Sequence, residues 1–209
     1  MKKFFSVIPM QVTNQLKSYV YRAVDNEKLG MEEAIRFPIL AAISGYAQPG
    51  EEIRVIALSS DNDACRANCR EFCREVEAMC SRRGILLPRG VELLFVAEEE
   101  SVASQVQSFE KLLPFMEDDD ELFACMTYGT KPMSQVLMMA IQYAYRIKKN
   151  TIISCIVYGK IERPSKDRSS WEAYVYDMTA LVQMDEIVRV LADRGVENPG
   201  AIISHILAL

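Results

Sequence analysis

The chain alternates short apolar runs with longer segments in which apolar residues recur at helical spacing. The apolar runs predict β-strands at residues 3–8, 53–58, 91–97, 122–126, 152–158 and 173–177. The longer segments predict helices at residues 38–46, 62–83, 101–115, 133–147, 181–194 and 201–207. This alternation predicts mainly parallel strands joined by right-handed helical crossovers. Only the last two strands, joined by the polar, positively charged loop 159–170, predict an antiparallel pair.

Two further segments, 17–24 and 32–37, predict a hairpin around the turn-like Asp25-Asn26-Glu27. The whole pattern predicts a Rossmann-like α/β fold, in which helices flank a mainly parallel sheet and an antiparallel strand is added near the C-terminus. We expect this domain to span residues 1–195. Residues 196–209 then form a short C-terminal helix at a dimer or effector junction.

Composition limits the classes of function. The 209 residues are 50% hydrophobic and 25% charged, which is typical of a well-cored globular domain. The formal charge of −5 argues against a broad basic face for long nucleic acids, but it is compatible with a small anionic ligand. The first apolar run stops at Pro9, too short for a signal peptide, and no segment approaches the ~20 apolar residues of a membrane span. We therefore expect a cytoplasmic protein without a membrane partner.

The six cysteines are expected to be thiols rather than disulfides in that compartment. Cys65, Cys69 and Cys73 recur every four residues and share one helical face. They form either a soft metal site or, as we favour, the apolar side of a helix packed on the sheet. Paired cysteine knuckles are missing and the one histidine, His205, is distant, so we expect no metal. His205 itself is expected to be packed or interfacial.

Several motifs of common nucleotide enzymes and hydrolases are missing from the sequence. It contains no GxGxxG, GxxxxGK[ST], HExxH or GxSxG. The sequence therefore lacks the usual signatures of dinucleotide dehydrogenases, P-loop ATPases, zinc proteases and nucleophile-elbow hydrolases. The acidic clusters 98–100 and 116–120 are expected to be solvated connections rather than metal cages.

The strand-to-helix junction at residues 127–134 carries the most chemical information, because ligands of open α/β sheets bind at the carboxyl ends of strands. Thr127 and Thr130 offer hydroxyls, and Gly129 permits close backbone approach. Lys131 adds a cation beside the first amides of a helix. The pattern predicts phosphate or nucleotide binding. The alternative is a capped turn with a surface lysine.

The segment Cys125-Met126-Thr127-Tyr128-Gly129-Thr130-Lys131-Pro132-Met133 resembles the second signature of CARF domains, the CRISPR-associated Rossmann-fold sensors. That signature is Asp or Asn at a strand end, an apolar residue, Thr, Gly or His, Gly, any residue, and Lys or Arg, often before Pro-Met. Cys125 and Tyr128 depart from it. Tyr19-Val20-Tyr21 resembles a tyrosine-rich hairpin of some members, and residues 174–179 resemble the closing strand.

The resemblance implies a twofold homodimer that binds a cyclic oligoadenylate, the second messenger of type III CRISPR antiviral defence. Cyclic tetra-adenylate is expected in preference to hexa-adenylate, and no cofactor is expected. The implied ligand-binding residues are Pro9, Met10, Gln11, Thr13, Ser59, Ser60, Thr127, Tyr128, Gly129, Thr130 and Lys131. Some family members cleave the ring without metal, and Lys131 is the candidate that would stabilise charge in that reaction.

The sequence leaves the output of such a sensor open. We expect no effector domain after Leu209, and no arginine stands near His205 at the spacing of a HEPN ribonuclease. The chain is then a stand-alone ring nuclease, a sensor that regulates a separate effector protein, or the sensor portion of a longer effector. The alternative function is a regulatory Rossmann-like domain that binds another nucleotide or a protein without catalysis.

Overall fold

The predicted alternation is present in a computed structural model that describes residues 1–12, 15–165, 167 and 170–207. The chain divides into two compact units, Met1–Asp177 and Met178–Leu209. The first unit contains the sheet. Its strands are β1 (Lys2–Val7), β2 (Tyr21–Ala23), β3 (Ile53–Ser60), β4 (Val91–Val96), β5 (Glu121–Cys125), β6 (Ile152–Glu162) and β7 (Glu172–Asp177).

The strands follow the order β2-β7-β6-β5-β1-β3-β4. Among these strands every neighbouring pair is parallel except β6 and β7, so the predicted Rossmann-like sheet with an antiparallel addition is confirmed. β1 lies between β3 and β5. Apart from β2, which lies at the far edge, the strands that follow β1 are added first on one side, as β3 and β4, and then on the other, as β5, β6 and β7. The carboxyl ends of β1 and β5 therefore meet where the strand order reverses.

Four helices flank this sheet: α1 (Ile39–Tyr46), α2 (Asp63–Arg83), α3 (Val102–Leu112) and α4 (Lys131–Ile147). α1 and α2 share one apolar core with Phe4 of β1 and Phe123 of β5. α3 and α4 pack together, and α4 also contacts β1, β5 and β6. Because side chains alternate along a strand, β1 supplies both faces with buried residues.

The predicted hairpin of 17–24 and 32–37 is wrong in its main pairing. Only Tyr19 and Ile35 form an antiparallel bridge between the two segments. β2 instead joins the edge of the sheet beside β7, with Tyr21 opposite Ala173 in parallel register. This arrangement gives the outer backbone groups of β7 hydrogen-bond partners and buries the Tyr21 ring.

The acidic loop 116–120 is exposed at residues 117–119, as expected for a solvated connection, but its last residue, Asp120, is buried in an ion pair. Lys3 of β1 is 0% exposed and its Nζ lies 2.7 Å from the carboxylate of Asp120, which is 2% exposed. The same amine donates to Glu117 and to the carbonyl of Phe115. A buried lysine requires such partners, since an unpaired charge in the core is strongly unfavourable. This network lies at the amino end of β1.

The cysteines of α2 are mostly buried, in agreement with the interpretation that they form the apolar side of a helix packed on the sheet. Cys65, Cys69 and Cys80 are buried, Cys73 is half-buried, and all six cysteines of the chain are free thiols. Burial raises the pKa of the Cys73 and Cys80 thiols to about 11. Met133 and Met138 of α4 are buried in the core, whereas Met139 is exposed.

The second unit consists of α5 (Thr179–Asp193) and α6 (Pro199–Leu207). Apolar side chains of the two helices, including Leu191 and Ile203, line a small pocket of about 220 Å³. His205 is exposed on α6. Within the described ranges, no helix has the length and apolar character needed to cross a bilayer.

Candidate functional site

A cavity of about 580 Å³ opens where the loops after β1 and β5 approach β6 and the amino ends of β2 and β7. Because β2 and β7 run antiparallel to β6, their amino ends lie at the same edge as the carboxyl end of β6. This is the edge at which open α/β sheets bind ligands, and the volume is within the range of small-molecule sites. We refer to it as the large cavity.

The large cavity is polar and aromatic. Five rings line it, from Tyr19, Tyr21, Tyr128, Tyr158 and Trp171. Three cations line it, from Lys17, Lys160 and Arg163. The other lining residues are Gln11, Gln15, Leu16, Thr127, Gly159 and Ile161.

The charge of the large cavity is opposite to that of the chain. Its described lining contains three cationic side chains and no carboxylate, whereas the whole chain has a formal charge of −5. Lys160 forms a 2.7 Å ion pair with Glu162, which lies outside the lining. The Arg163 guanidinium lies 4.9 Å from the centre of the Trp171 ring. The cavity is therefore suited to an anion that carries an aromatic group.

The loop after β1 is positioned by a side chain of α2. The buried Asn68 amide donates to the carbonyl oxygens of Pro9 at 2.7 Å and Gln11 at 2.8 Å. These bonds fix the loop backbone and leave the Gln11 side chain exposed at the large cavity. Asn68 lies in the middle of a helix, where an asparagine has no local capping role, so its function in the loop was not visible in the sequence.

Thr127 joins the end of β5 to β6. Its hydroxyl accepts hydrogen bonds from the Gly159 amide at 2.7 Å and from the Cys125 thiol at 3.2 Å. A hydroxyl that accepts two bonds still has its own proton to donate. Gly159 is required for close packing, since a Cβ there would lie 2.3 Å from Pro38 Cγ.

Tyr128 forms part of the wall of the large cavity. Its hydroxyl donates a 2.7 Å hydrogen bond to the Arg36 carbonyl, and its ring packs edge-on against Phe37. Burial raises the pKa of both the Tyr128 and Tyr21 hydroxyls, and a hydrogen bond with Tyr128 partly offsets this at Tyr21. Both phenols therefore stay neutral and available for hydrogen bonding across the physiological pH range.

The turn from β5 into α4 is tightly constrained. Gly129 has φ +88°, and a Cβ there would lie 2.2 Å from Val7 Cγ1. The Thr130 hydroxyl caps α4 by accepting from the Met133 amide. Lys131 is exposed and its ammonium group contacts no other residue of the described chain through a hydrogen bond or ion pair. The capped turn is thus present, and a surface lysine stands beside it.

The structure brings three of the predicted site residues to the large cavity, namely Gln11, Thr127 and Tyr128. Thr13 lies outside the described residues. The other predicted residues lie near the same edge but not in the cavity lining: Pro9, Met10, Ser59, Ser60, Gly129, Thr130 and Lys131. Ser59 and Ser60 are buried, and Ser60 Oγ lies 3.7 Å from Met133 Sδ. Their role in ligand binding stays a prediction.

Sequence reasoning missed the cations Lys17, Lys160 and Arg163. The strand β6 extends to Glu162, beyond the predicted end at residue 158, and so carries Lys160 to the cavity, with Arg163 directly after the strand. The signal available was the positive charge of the loop 159–170. The sequence does not indicate that this loop lies beside the junction at 127–134.

The described residues contain no group of three or more His, Cys, Asp or Glu side chains arranged to hold a metal ion. No protein-family model matches the sequence, and no curated protein matches it significantly.

Proposed function

We propose that this protein is a CARF-like sensor that binds a cyclic oligoadenylate at the large cavity. The observation that carries the proposal is the lining, in which three cations and five aromatic rings occur without a carboxylate in a chain of net negative charge. Phosphates need cationic and amide donors, and nucleobases need flat apolar surfaces. The cationic donors and the flat aromatic surfaces both occur in the lining of the large cavity.

The junction after β5 supports the same ligand. The backbone amides of Gly129, Thr130 and Lys131 donate to no other described residue, and they precede the amino end of α4. Consecutive free amides at a helix start favour an anion, and Lys131 adds a positive charge there. These groups flank the Thr127 and Tyr128 wall, so a ligand larger than one nucleotide would extend from the cavity towards Lys131.

A ring with repeated phosphates favours a twofold assembly, because two copies of the chain then present identical cation sets to one ligand. We propose a homodimer with cyclic tetra-adenylate as the preferred ring. The free thiols, five of them buried and that of Cys73 half-buried, agree with a reducing cytoplasm. In this proposal the bound ring signals to a separate effector protein.

Calorimetric titration with cyclic tetra- and hexa-adenylate tests where the ring binds. Lys17→Gln and Arg163→Gln should each weaken binding by about tenfold or more, because each removes a charged hydrogen-bond donor to phosphate. Lys149→Gln is the matched control, since Lys149 is exposed beyond the opposite end of α4. Equal affinities for all three variants would place the ligand elsewhere. Equal affinity for linear and cyclic adenylates would favour the regulatory nucleotide-binding alternative.

Incubation of labelled ring with the protein in EDTA tests cleavage. In that reaction a ribose 2′-hydroxyl gives up its proton to water as its oxygen attacks the adjacent phosphorus, the bond to the 5′-oxygen breaks, and the 5′-oxygen takes up a proton from water. The product is a linear oligoadenylate with a 2′,3′-cyclic phosphate. If Lys131 stabilises the developing charge, Lys131→Gln should lower the cleavage rate more than the affinity. Unchanged ring with tight binding would leave a sensor without nuclease activity.

A further inference from the structure

A second, smaller cavity of about 220 Å³ adjoins the large one at the start of β2 and β7. Its lining consists of Tyr19, Val20, Arg22, Trp171, Glu172 and Ala173. Tyr19 and Trp171 line both cavities, so these two aromatic side chains stand between the cationic space and the smaller one. We refer to the smaller space as the aromatic slot.

Strand register explains why the two rings are neighbours. Tyr21 lies opposite Ala173 in the parallel pair of β2 and β7, and Tyr19 and Trp171 each precede that pair by two residues. Because the two strands run parallel, both residues lie just before the strands begin, at the same end of this pair. An aromatic pair at such a position provides a flat apolar surface for a third ring.

Hydrogen bonds hold the Trp171 ring and the backbone of Tyr19 in place. The Trp171 indole nitrogen donates to the Ser165 carbonyl at 3.0 Å. Tyr19 exchanges two backbone hydrogen bonds of 2.9 Å with Ile35. The Arg163 guanidinium lies over the Trp171 ring on the side of the large cavity. A base stacked on Trp171 would therefore have a cation close to its attached phosphate.

The far side of the slot carries a donor and an acceptor together. Arg22 and Glu172 form a 3.0 Å ion pair, and the Tyr174 hydroxyl donates to Glu172 at 2.6 Å. That hydrogen bond lowers the pKa of Glu172, so its carboxylate accepts hydrogen bonds at neutral pH. An adenine presents an exocyclic amine, which donates, beside a ring nitrogen, which accepts. The Arg22 and Glu172 pair is complementary to that edge.

We propose that the aromatic slot is a nucleobase site, in which an adenine stacks on Tyr19 and Trp171 and its edge meets Arg22 and Glu172. The inference rests on the proposed function, since it assigns one base of the ligand to the slot and its phosphates to the large cavity. Base stacking on an aromatic side chain contributes enough affinity to be measured by a single substitution.

Tryptophan fluorescence gives a direct test, because Trp171 is the chain's one tryptophan. Titration with cyclic tetra-adenylate should quench its emission, with the same midpoint as calorimetry. Trp171→Leu should weaken binding by about 5- to 150-fold, and Trp171→Phe should lose less because a ring remains. Glu172→Gln should reduce the preference for AMP over inosine monophosphate, whose ring nitrogen donates instead of accepting. An unchanged urea midpoint for the variants separates lost stacking from lost folding.

Two small probes distinguish failure of this inference from failure of the proposed function. AMP should quench Trp171, and ribose 5-phosphate at the same concentration should not. Ring binding by calorimetry without quenching, and with full affinity in Trp171→Leu, would overturn the aromatic slot alone. AMP-dependent quenching without ring binding would overturn the cyclic ligand and support the slot. Absence of both signals would overturn both.

Discussion

The amide of Gly159 donates a 2.7 Å hydrogen bond to the hydroxyl of Thr127. This bond ties β6 to the loop after β5, and both residues line the large cavity. The Thr127 hydroxyl therefore has a structural role in addition to any contact with a ligand.

Replacing Thr127 by valine should destabilise the fold, because it keeps the shape of the side chain but leaves the Gly159 amide without its acceptor. The expected loss is about 1–3 kcal/mol in the free energy of unfolding, measured by urea denaturation. Thr127→Ser retains the hydroxyl and should lose less. A valine variant as stable as the parent would show that the bond contributes little.

Replacing Gly159 by alanine should also be unfavourable. The new Cβ would lie 2.3 Å from Cγ of the rigid Pro38 and 3.1 Å from the buried ring of Tyr21. Overpacking of this kind costs about 1–3 kcal/mol, and the displaced Tyr21 should weaken ligand binding as well. Gly200→Ala is the control, since a Cβ there meets nothing within 4 Å. Equal unfolding midpoints for the two variants would contradict the close packing.

Most of the fold was predictable because its signals are local. α2 spans Asp63–Arg83, close to the predicted range 62–83, with Asn62 as its N-cap and Gly84 as its C-cap, and apolar runs marked the parallel strands. The partner of β2 was not predictable, since the alternation around Tyr21 specifies a strand but not which edge it joins. The Lys3 ion pair depends on a loop far away in sequence. Most of the candidate site was missed for the same reason: Arg163 and Trp171, for example, reach the cavity through the extended β6 and β7 pairing.

The Lys3 and Asp120 pair should be a major contributor to the stability of the amino end of β1. Lys3→Met should lower the free energy of unfolding by about 3–5 kcal/mol, because it removes the cation that pairs with the buried carboxylate of Asp120. Lys149→Met removes an exposed amine and should change stability little. Urea denaturation followed by circular dichroism measures both. Similar losses in the two variants would contradict the burial of this pair.

Stability should decrease in acid through Glu117. The hydrogen bond from Lys3 holds the pKa of Glu117 below its ordinary value of 4.5. A carboxyl whose pKa is lowered by folding stabilises the native state above its unfolded pKa, and this contribution is lost as the pH falls through the folded pKa. The free energy of unfolding should therefore fall below about pH 4.5, and less steeply in Glu117→Gln.

Glu32→Gln serves as the comparison for the acid titration. Glu32 is exposed and has no ion pair within the described ranges of the chain. Its variant should follow the parent between neutral pH and pH 4. If the free energy of unfolding falls equally steeply with acid in the parent and in Glu117→Gln, Glu117 does not contribute to the acid dependence.

Calorimetric titration of the unmodified protein with cyclic tetra-adenylate tests the central claim most directly. We predict saturable binding with a stoichiometry of one ring for two chains, together with weaker binding at high salt because the contacts are with phosphate. The contradicting result is the absence of binding heat, and of any shift in electrophoretic mobility, with both cyclic tetra- and hexa-adenylate in protein that circular dichroism shows to be folded. That result would overturn the assignment of the large cavity to a cyclic oligoadenylate.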